Sequence, residues 1–276
     1  LAKTARKKVL LFDYTDYVDR DSRIPPHAVL FRVSAYRCHQ KQNELIMPYF
    51  VEDLGTRIAP HSRKPRRLTV GFCGLSRYGN ATLRWKAFIK RLGIRLWFLV
   101  RGDRNILAHG MGIYWRRRAL EALCGTPGVE PLFVERAFYS LHRGAVQGDP
   151  AAIRREYIEN LSGSTLALCV RGDANASQRF YEALSASRIP LFLDTDCALP
   201  LPERIAYDRV TLRVPYRELS ALPLRVRVWF EAQTDDSFAA IEREARRVYD
   251  TYLRLDRFFA IVFDRERSPY KGILFD

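Results

Sequence analysis

The stretch Thr165-Leu-Ala-Leu-Cys-Val-Arg-Gly-Asp-Ala-Asn-Ala-Ser-Gln-Arg-Phe-Tyr-Glu-Ala-Leu-Ser-Ala-Ser-Arg-Ile-Pro-Leu-Phe-Leu193 decides the fold class. Thr165 to Val170 is a near-continuous apolar run, the pattern of a strand buried on both faces. Gly172 and Asp173 supply a turn. Ser177 stands where a helix N-cap belongs, and Gln178 to Leu184 reads as the helix. Ile189 to Leu193 is a second apolar strand. The loop of this strand–loop–helix–strand unit falls at the carboxyl end of a strand, where open α/β sheets bind ligands. A helix N-terminus at that place offers free N–H groups and partial positive charge to an anion.

The same alternation continues outward. Val9–Phe12 and Ala28–Val33 read as short strands, the first ended by an acidic turn holding Asp13, Asp16 and Asp19. His61-Ser-Arg-Lys-Pro-Arg-Arg67 reads as a charged linker. Leu68–Cys73 is a buried strand followed by a turn-rich loop to Asn80. Ala81–Leu92 predicts a basic amphipathic helix, Ile94–Val100 a strand, Gly112–Cys124 a helix, and Pro150–Leu161 a helix with Pro at its start. Arg209–Val214 is a candidate strand. Asp236–Phe259 has apolar residues at 3.6 spacing and reads as one long helix. Strands alternating with helices predict a doubly wound parallel sheet from about residue 66 onward.

The run Cys169-x-Arg-Gly, then Ser177-x-Arg-Phe-Tyr-Glu-Ala-Leu, then the segment ending Ile189-Pro, resembles the donor-site signature of the exostosin-type glycosyltransferases. The close likeness covers Leu166 to Leu193, and a weaker one extends from Leu68 to about Leu222. One departure is Val170, where the family usually has Pro, which bears on the loop's stiffness more than on its chemistry. The resemblance implies a two-lobed GT-B fold and inverting transfer from a nucleotide-sugar donor. On that basis the expected fold is α/β and GT-B-like: a Rossmann-type donor lobe over residues 66–276, with a parallel sheet and a C-terminal helix. Residues 1–65 would be a small, reduced α/β lobe on the acceptor side.

Individual residues follow from chemistry and resemblance together. An Arg fork holds a diphosphate bidentately at any relevant pH, so Arg171 and Arg179 are donor-site candidates; by position alone either is equally a surface arginine. Glu182, one turn into the helix, is by itself an ordinary first-turn acid. The resemblance gives it the ribose hydroxyls. Ser177 serves as N-cap, phosphate ligand, or both, and Gly172 lets the loop turn. Phe180 and Tyr181 read as core. Gly74, Ser76 and Arg77 follow the Leu68–Cys73 strand, beside the phosphate site of a Rossmann-like lobe, and Arg77 or Arg84 is placed to neutralise a leaving diphosphate. An inverting transfer needs a base. Asp16 is the candidate among the three acids of the first turn, which are also what a solvated turn contains; His109 is a rival.

Composition bounds the partners. The 276-residue chain carries a formal charge of +15. Residues 1–150 hold 27 Lys+Arg against 12 Asp+Glu, and residues 151–276 hold 19 of each, so the excess lies wholly in the first half and points to an acidic partner there. Arg84–Arg95 and Tyr114–Arg118 interleave aromatics with cations, as a membrane-docking or nucleic-acid-binding surface does; a solvated helix face is the plain alternative. No apolar run reaches the length of a membrane span. Five scattered cysteines and few histidines suggest buried, reduced thiols rather than a zinc clip. The expected function is therefore an inverting transfer from a uridine diphosphate (UDP) sugar to a glycan hydroxyl, the acceptor being anionic or lipid-linked. No metal or resident cofactor and no nucleic acid are expected. The expected location is the cytoplasm, with peripheral membrane contact, or the Golgi lumen for a fragment lacking its anchor. A basic nucleic-acid or membrane-surface module, and a catalytically silent donor-fold partner, are the alternatives.

Overall fold

A computed structural model describes residues 8–16, 24–102, 108, 111–137 and 149–275. Asp19 and His109 lie outside these residues. Among the described residues, eight strands form two sheets, both wholly parallel. The first joins β1 (Val9–Asp13), β2 (Ala28–Arg32) and β3 (Glu44–Ile46) in that order. The second holds β4 (Leu68–Leu75), β5 (Val129–Arg136), β6 (Leu166–Val170), β7 (Ile189–Asp194) and β8 (Leu212–Pro215), in the order β5-β4-β6-β7-β8. The direction of strand succession reverses between β4 and β6. In a doubly wound sheet this switch point opens a crevice at the carboxyl ends of the strands. The α/β class with parallel, Rossmann-like sheets is as the sequence predicts.

Helices cover both faces of the five-stranded sheet. Leu166, Leu168, Val170, Leu191 and Leu193 point to one face, in a core shared with α2 (Gly112–Leu123) and α5 (Leu222–Glu231). Ala167, Cys169 and Phe192 point to the other, packed with α3 (Pro150–Ser162), α4 (Gln178–Ser185), α6 (Asp235–Val248) and α7 (Leu255–Val262). That second core also takes in Val29, Phe31 and Leu45 from the small sheet and Met47, Leu54 and Ile58 beyond it. Residues 61–67, read as a linker, are irregular backbone pinned at several points. His61 donates its N–H to Glu242 at 2.7 Å, and Lys64 donates to the Gln233 carbonyl at 2.8 Å.

Three elements differ from expectation. Ile94–Val100 is the second half of α1 (Ala81–Val100), not a strand. Asn80 caps this helix by accepting from the Leu83 N–H at 2.8 Å, and Gly93 alone cannot break it: a Cβ there would meet nothing within 4 Å, so the glycine marks no tight backbone approach. Strand β5 escapes apolar patterning because Glu130, Glu135 and Arg136 bound its short apolar run and it contains Pro131, which an edge strand tolerates. The long C-terminal helix is broken: α6 passes through a π-helical turn at Tyr249–Leu253, and Arg254, at ψ 147°, starts α7 afresh. A short helix, α8 (Lys271–Leu274), ends the described chain.

Candidate functional site

At the switch point the carboxyl end of β4, the N-terminus of α4 and the flanks of α2 and α3 enclose a cleft of about 130 Å³. Gly74, Arg116, Tyr157, Ser177, Arg179 and Glu182 all line it. Three of these come from the α4 start, where helix geometry sets the arrangement. Arg179 and Glu182, three apart, share a face. Ser177 occupies the N-cap, yet its hydroxyl makes no capping hydrogen bond. Instead it borders the cleft beside the first turn of α4, whose leading N–H groups have no carbonyl four residues back within the helix.

Arg179 is the most telling side chain. It is 7% exposed. One Nη2 hydrogen bond, 2.6 Å to Asn160 Oδ1, holds the guanidinium, and the Tyr157 ring lies 5.0 Å beneath it. Its Nε and Nη1 are buried and have no hydrogen-bond partner among the described residues. A buried cation is costly unless its donors are met, so this geometry suits an anionic ligand with acceptor oxygens. Asn160 in turn donates to the carbonyls of Phe72 at 3.2 Å and Leu132 at 2.7 Å. Arg179 is thereby fixed to β4 and β5.

Glu182 is buried and accepts from both sides. Arg154 Nη1 donates at 3.0 Å, and the Tyr157 hydroxyl donates to the other oxygen. Burial and the neighbouring carboxylate push the Tyr157 phenol well above its ordinary value, so it remains a donor. Arg154 also bridges to Glu52 at 2.8 Å.

Of the other expected donor residues, Gly74 lines the cleft and Arg171 and Arg77 do not. Arg171 is buried but faces away from the cleft. Its guanidinium donates to Tyr36 Oη at 2.5 Å, to the Ala108 carbonyl at 3.2 Å and to the Asp173 carbonyl at 2.7 Å. The fork that the sequence suggested for a diphosphate is spent on holding the β6–α4 loop against the segment after β2. Arg77 is exposed and pairs with Glu135 at 3.0 Å; it borders a separate, wider cleft of about 580 Å³ with Arg84 and Arg117. Ser76 also donates to Glu135, at 2.7 Å. Gly74 lies within β4, not in the loop beyond it. Gly172 keeps its loop position, donating its N–H to the Ala176 carbonyl at 3.0 Å. The start of α2 abuts it so closely that a Cβ on Gly112 would stand 2.2 Å from the Gly172 oxygen. Phe180 and Tyr181 are core residues, as expected.

Of the acids after β1, Asp13 is engaged with Arg32 at 3.8 Å and with Thr15 Oγ1 at 2.6 Å. Asp16 accepts from Tyr49 Oη at 3.5 Å. Desolvation and the like charge of Asp173 push its carboxyl above the usual range, against the lowering effect of the Tyr49 hydroxyl. Cys73, Cys169 and Cys197 are buried and Cys38 and Cys124 exposed, all with free thiols; the expectation of buried thiols holds for three. Burial pushes the Cys169 thiol up to about 12. Among the described residues, no three His, Cys, Asp or Glu side chains cluster as metal ligands, and no helix is long and apolar enough to cross a membrane.

Sequence reading missed two residues that line the cleft, Arg116 and Tyr157, and two that hold its side chains, Arg154 and Asn160. On α2, Gly112, Ala119, Leu120 and Leu123 are buried, and Arg116 falls within that stripe. It donates to the Leu75 carbonyl at 3.0 Å. A cation inside a buried helical stripe is the signal that was available.

Residues 129–228 match the family model of the Exostosin GT47 domain. Over that stretch, which is less than half of the chain, the sequence is similar to exostosin-like glycosyltransferases. The exostosin-like stretch runs from the first residue of β5 into α5, and Arg154, Asn160, Ser177, Arg179 and Glu182 all fall within it. A search of curated proteins gives no match.

Proposed function

We propose that the chain is an inverting glycosyltransferase that takes its sugar from a UDP-sugar, with the diphosphate seated on Arg179, the Ser177 hydroxyl and the N-terminal turn of α4. The observation that carries this reading is the Arg179 guanidinium, buried at the switch point with two nitrogens unpartnered. Two phosphate oxygens would satisfy them, and the charge-assisted bonds would strengthen as the leaving diphosphate gains charge. Arg116 adds a second cation from α2. Glu182, held by Arg154 and Tyr157, keeps its carboxylate in position to accept from the ribose hydroxyls. In this reading Arg171 is a positioning residue that shapes the loop before Ser177, and Arg77 acts outside the diphosphate site.

The cleft formed by the described residues takes the phosphate end of the donor; whole small-molecule sites run to roughly 300–1,000 Å³. The acceptor hydroxyl would attack the anomeric carbon from the face opposite the diphosphate, inverting it in one displacement. Asp16 is the carboxylate assigned to take the acceptor's proton, its raised pKa making it the stronger base. Residues 1–65 would serve the acceptor side and residues 66–276 the donor. A thermal-shift panel of nucleoside diphosphates and their sugars tests the assignment. UDP compounds at about 100 times their dissociation constant should add roughly 2.7 kcal/mol, and product NMR should show an inverted anomer. Stabilisation that survives in Arg179→Ala and Glu182→Ala alike would sink the site assignment.

A further inference from the structure

Helix α1 does not pack as a soluble helix does. Of its twenty residues only Ala87 and Phe98 are buried. Phe98 stacks on His39 at 6.2 Å, and Arg91 lies over the Tyr114 ring at 4.4 Å, so this face holds the helix to the body. At 100° per residue, Phe88, Leu99, Leu92, Trp85, Leu96 and Ile89 fall in one arc of roughly 100°, turned away from that face. All six are exposed. Lys86 and Lys90 flank the arc on one side, Arg84 and Arg95 on the other, and the helix has no acidic residue. A contiguous apolar face of this kind, rimmed by charge, marks an interaction site.

We propose that α1 is an interfacial helix that seats its apolar arc in the surface of a bilayer rich in anionic headgroups. Both flanks carry the sign that such headgroups attract, and Trp with Leu along one face is the composition of helices that lie in the interface plane. A second copy of the chain fits poorly, since pairing α1 with α1 would set two all-cationic rims against each other. Nucleic acid fits poorly too, because the arc between the cations is aliphatic and aromatic hydrocarbon. The helix spans about 30 Å, which allows the whole arc to lie flat on a membrane.

Vesicle co-sedimentation at physiological salt tests this, using phosphatidylcholine alone and phosphatidylcholine with about one-third phosphatidylserine. The wild type should bind the mixed vesicles and blue-shift its tryptophan emission, with little binding to neutral ones. Lys86→Gln with Lys90→Gln should weaken binding about 30-fold, at roughly five-fold per cation. Ile89→Ser with Leu92→Ser keeps every charge and should weaken binding about tenfold or more; circular dichroism checks that both variants fold. Equal binding to neutral vesicles, full binding by the serine variant, or a stable dimer that hides the arc would each overturn the proposal. So would RNA or DNA binding in place of vesicles.

Discussion

Arg179→Met separates an arginine kept for a ligand from one kept for the fold. Methionine preserves the length of the stem and removes the charge. In the free protein the wild-type guanidinium carries two buried nitrogens without partners, at about 1–3 kcal/mol each. Against this stand the Asn160 hydrogen bond, worth about 1.5–3 kcal/mol, and the Tyr157 contact, worth about 0.5–2 kcal/mol. The substitution also leaves Asn160 Oδ1 without its donor, about 1–3 kcal/mol more. The two sides nearly cancel, so the free variant should lie within about 2 kcal/mol of the wild type, a shift in melting temperature of a few degrees at this size. Binding should behave quite differently. Two charge-assisted bonds to a diphosphate are worth roughly 3–6 kcal/mol together, so affinity should fall about a hundred- to ten-thousand-fold. Urea denaturation of the free protein and calorimetric titration with UDP read the two quantities separately. A variant that loses more than about 5 kcal/mol of stability, or binds UDP as the wild type does, would refute the ligand role.

Glu182→Ala should abolish the preference for UDP over its 2′-deoxy analogue while leaving phosphate contacts in place; a preference that persists removes Glu182 from the ribose. Gly112→Ala drives a methyl into the Gly172 carbonyl, and should cost about 1–3 kcal/mol in urea denaturation with weaker UDP binding, because the strain falls on the loop before Ser177. The Arg246 fork beside Asp53 holds that carboxyl below its usual range, the hydrogen bond outweighing partial burial. Its folded pKa is depressed, so its contribution is present above the unfolded value near 3.9 and is lost as pH falls through the lower folded value. Both groups are partly exposed, which limits the effect to under about 1 kcal/mol. Asp53→Asn should flatten that part of the acid limb, seen as urea midpoints that vary less between about pH 5 and 2 than those of the wild type. Native alkylation should label Cys38 and Cys124 and spare Cys169 and Cys197 until the chain unfolds; early loss of the Cys169 thiol would contradict its burial.

The parallel sheet was legible because β6 and β7 are apolar on both faces, which only a doubly covered strand requires. Strand β5 was hidden because an edge strand need satisfy only one neighbour. The false strand at Ile94–Val100 has a different cause. Its run of Leu, Trp, Phe and Val looks buried only on the premise that apolar residues pack within the chain. Most of them are exposed on α1, so a helix with an outward apolar arc reads, locally, as a strand.

At the cleft, the residues of one local unit were read together, and of the distant units only Gly74 was. Arg179 and Glu182 lie on a single helix whose phase follows from Ser177, so their shared face could be read directly. Arg171 could not be placed in this way: whether a side chain at a strand end enters the cleft or the seam beside it depends on Tyr36, 135 residues away. Helix α3 is the sharper case. Arg154, Tyr157 and Asn160 recur at intervals of three, a polar stripe that apolar periodicity assigns to solvent. In the fold this stripe faces α4: Arg154 and Tyr157 donate to Glu182, and Asn160 accepts from Arg179. A polar row beside an apolar one on the same helix breaks the binary pattern, and such breaks are expected where function takes precedence over packing. What the stripe does is hold an acid and an arginine apart and in place. That work is invisible to any reading that treats polarity as exposure.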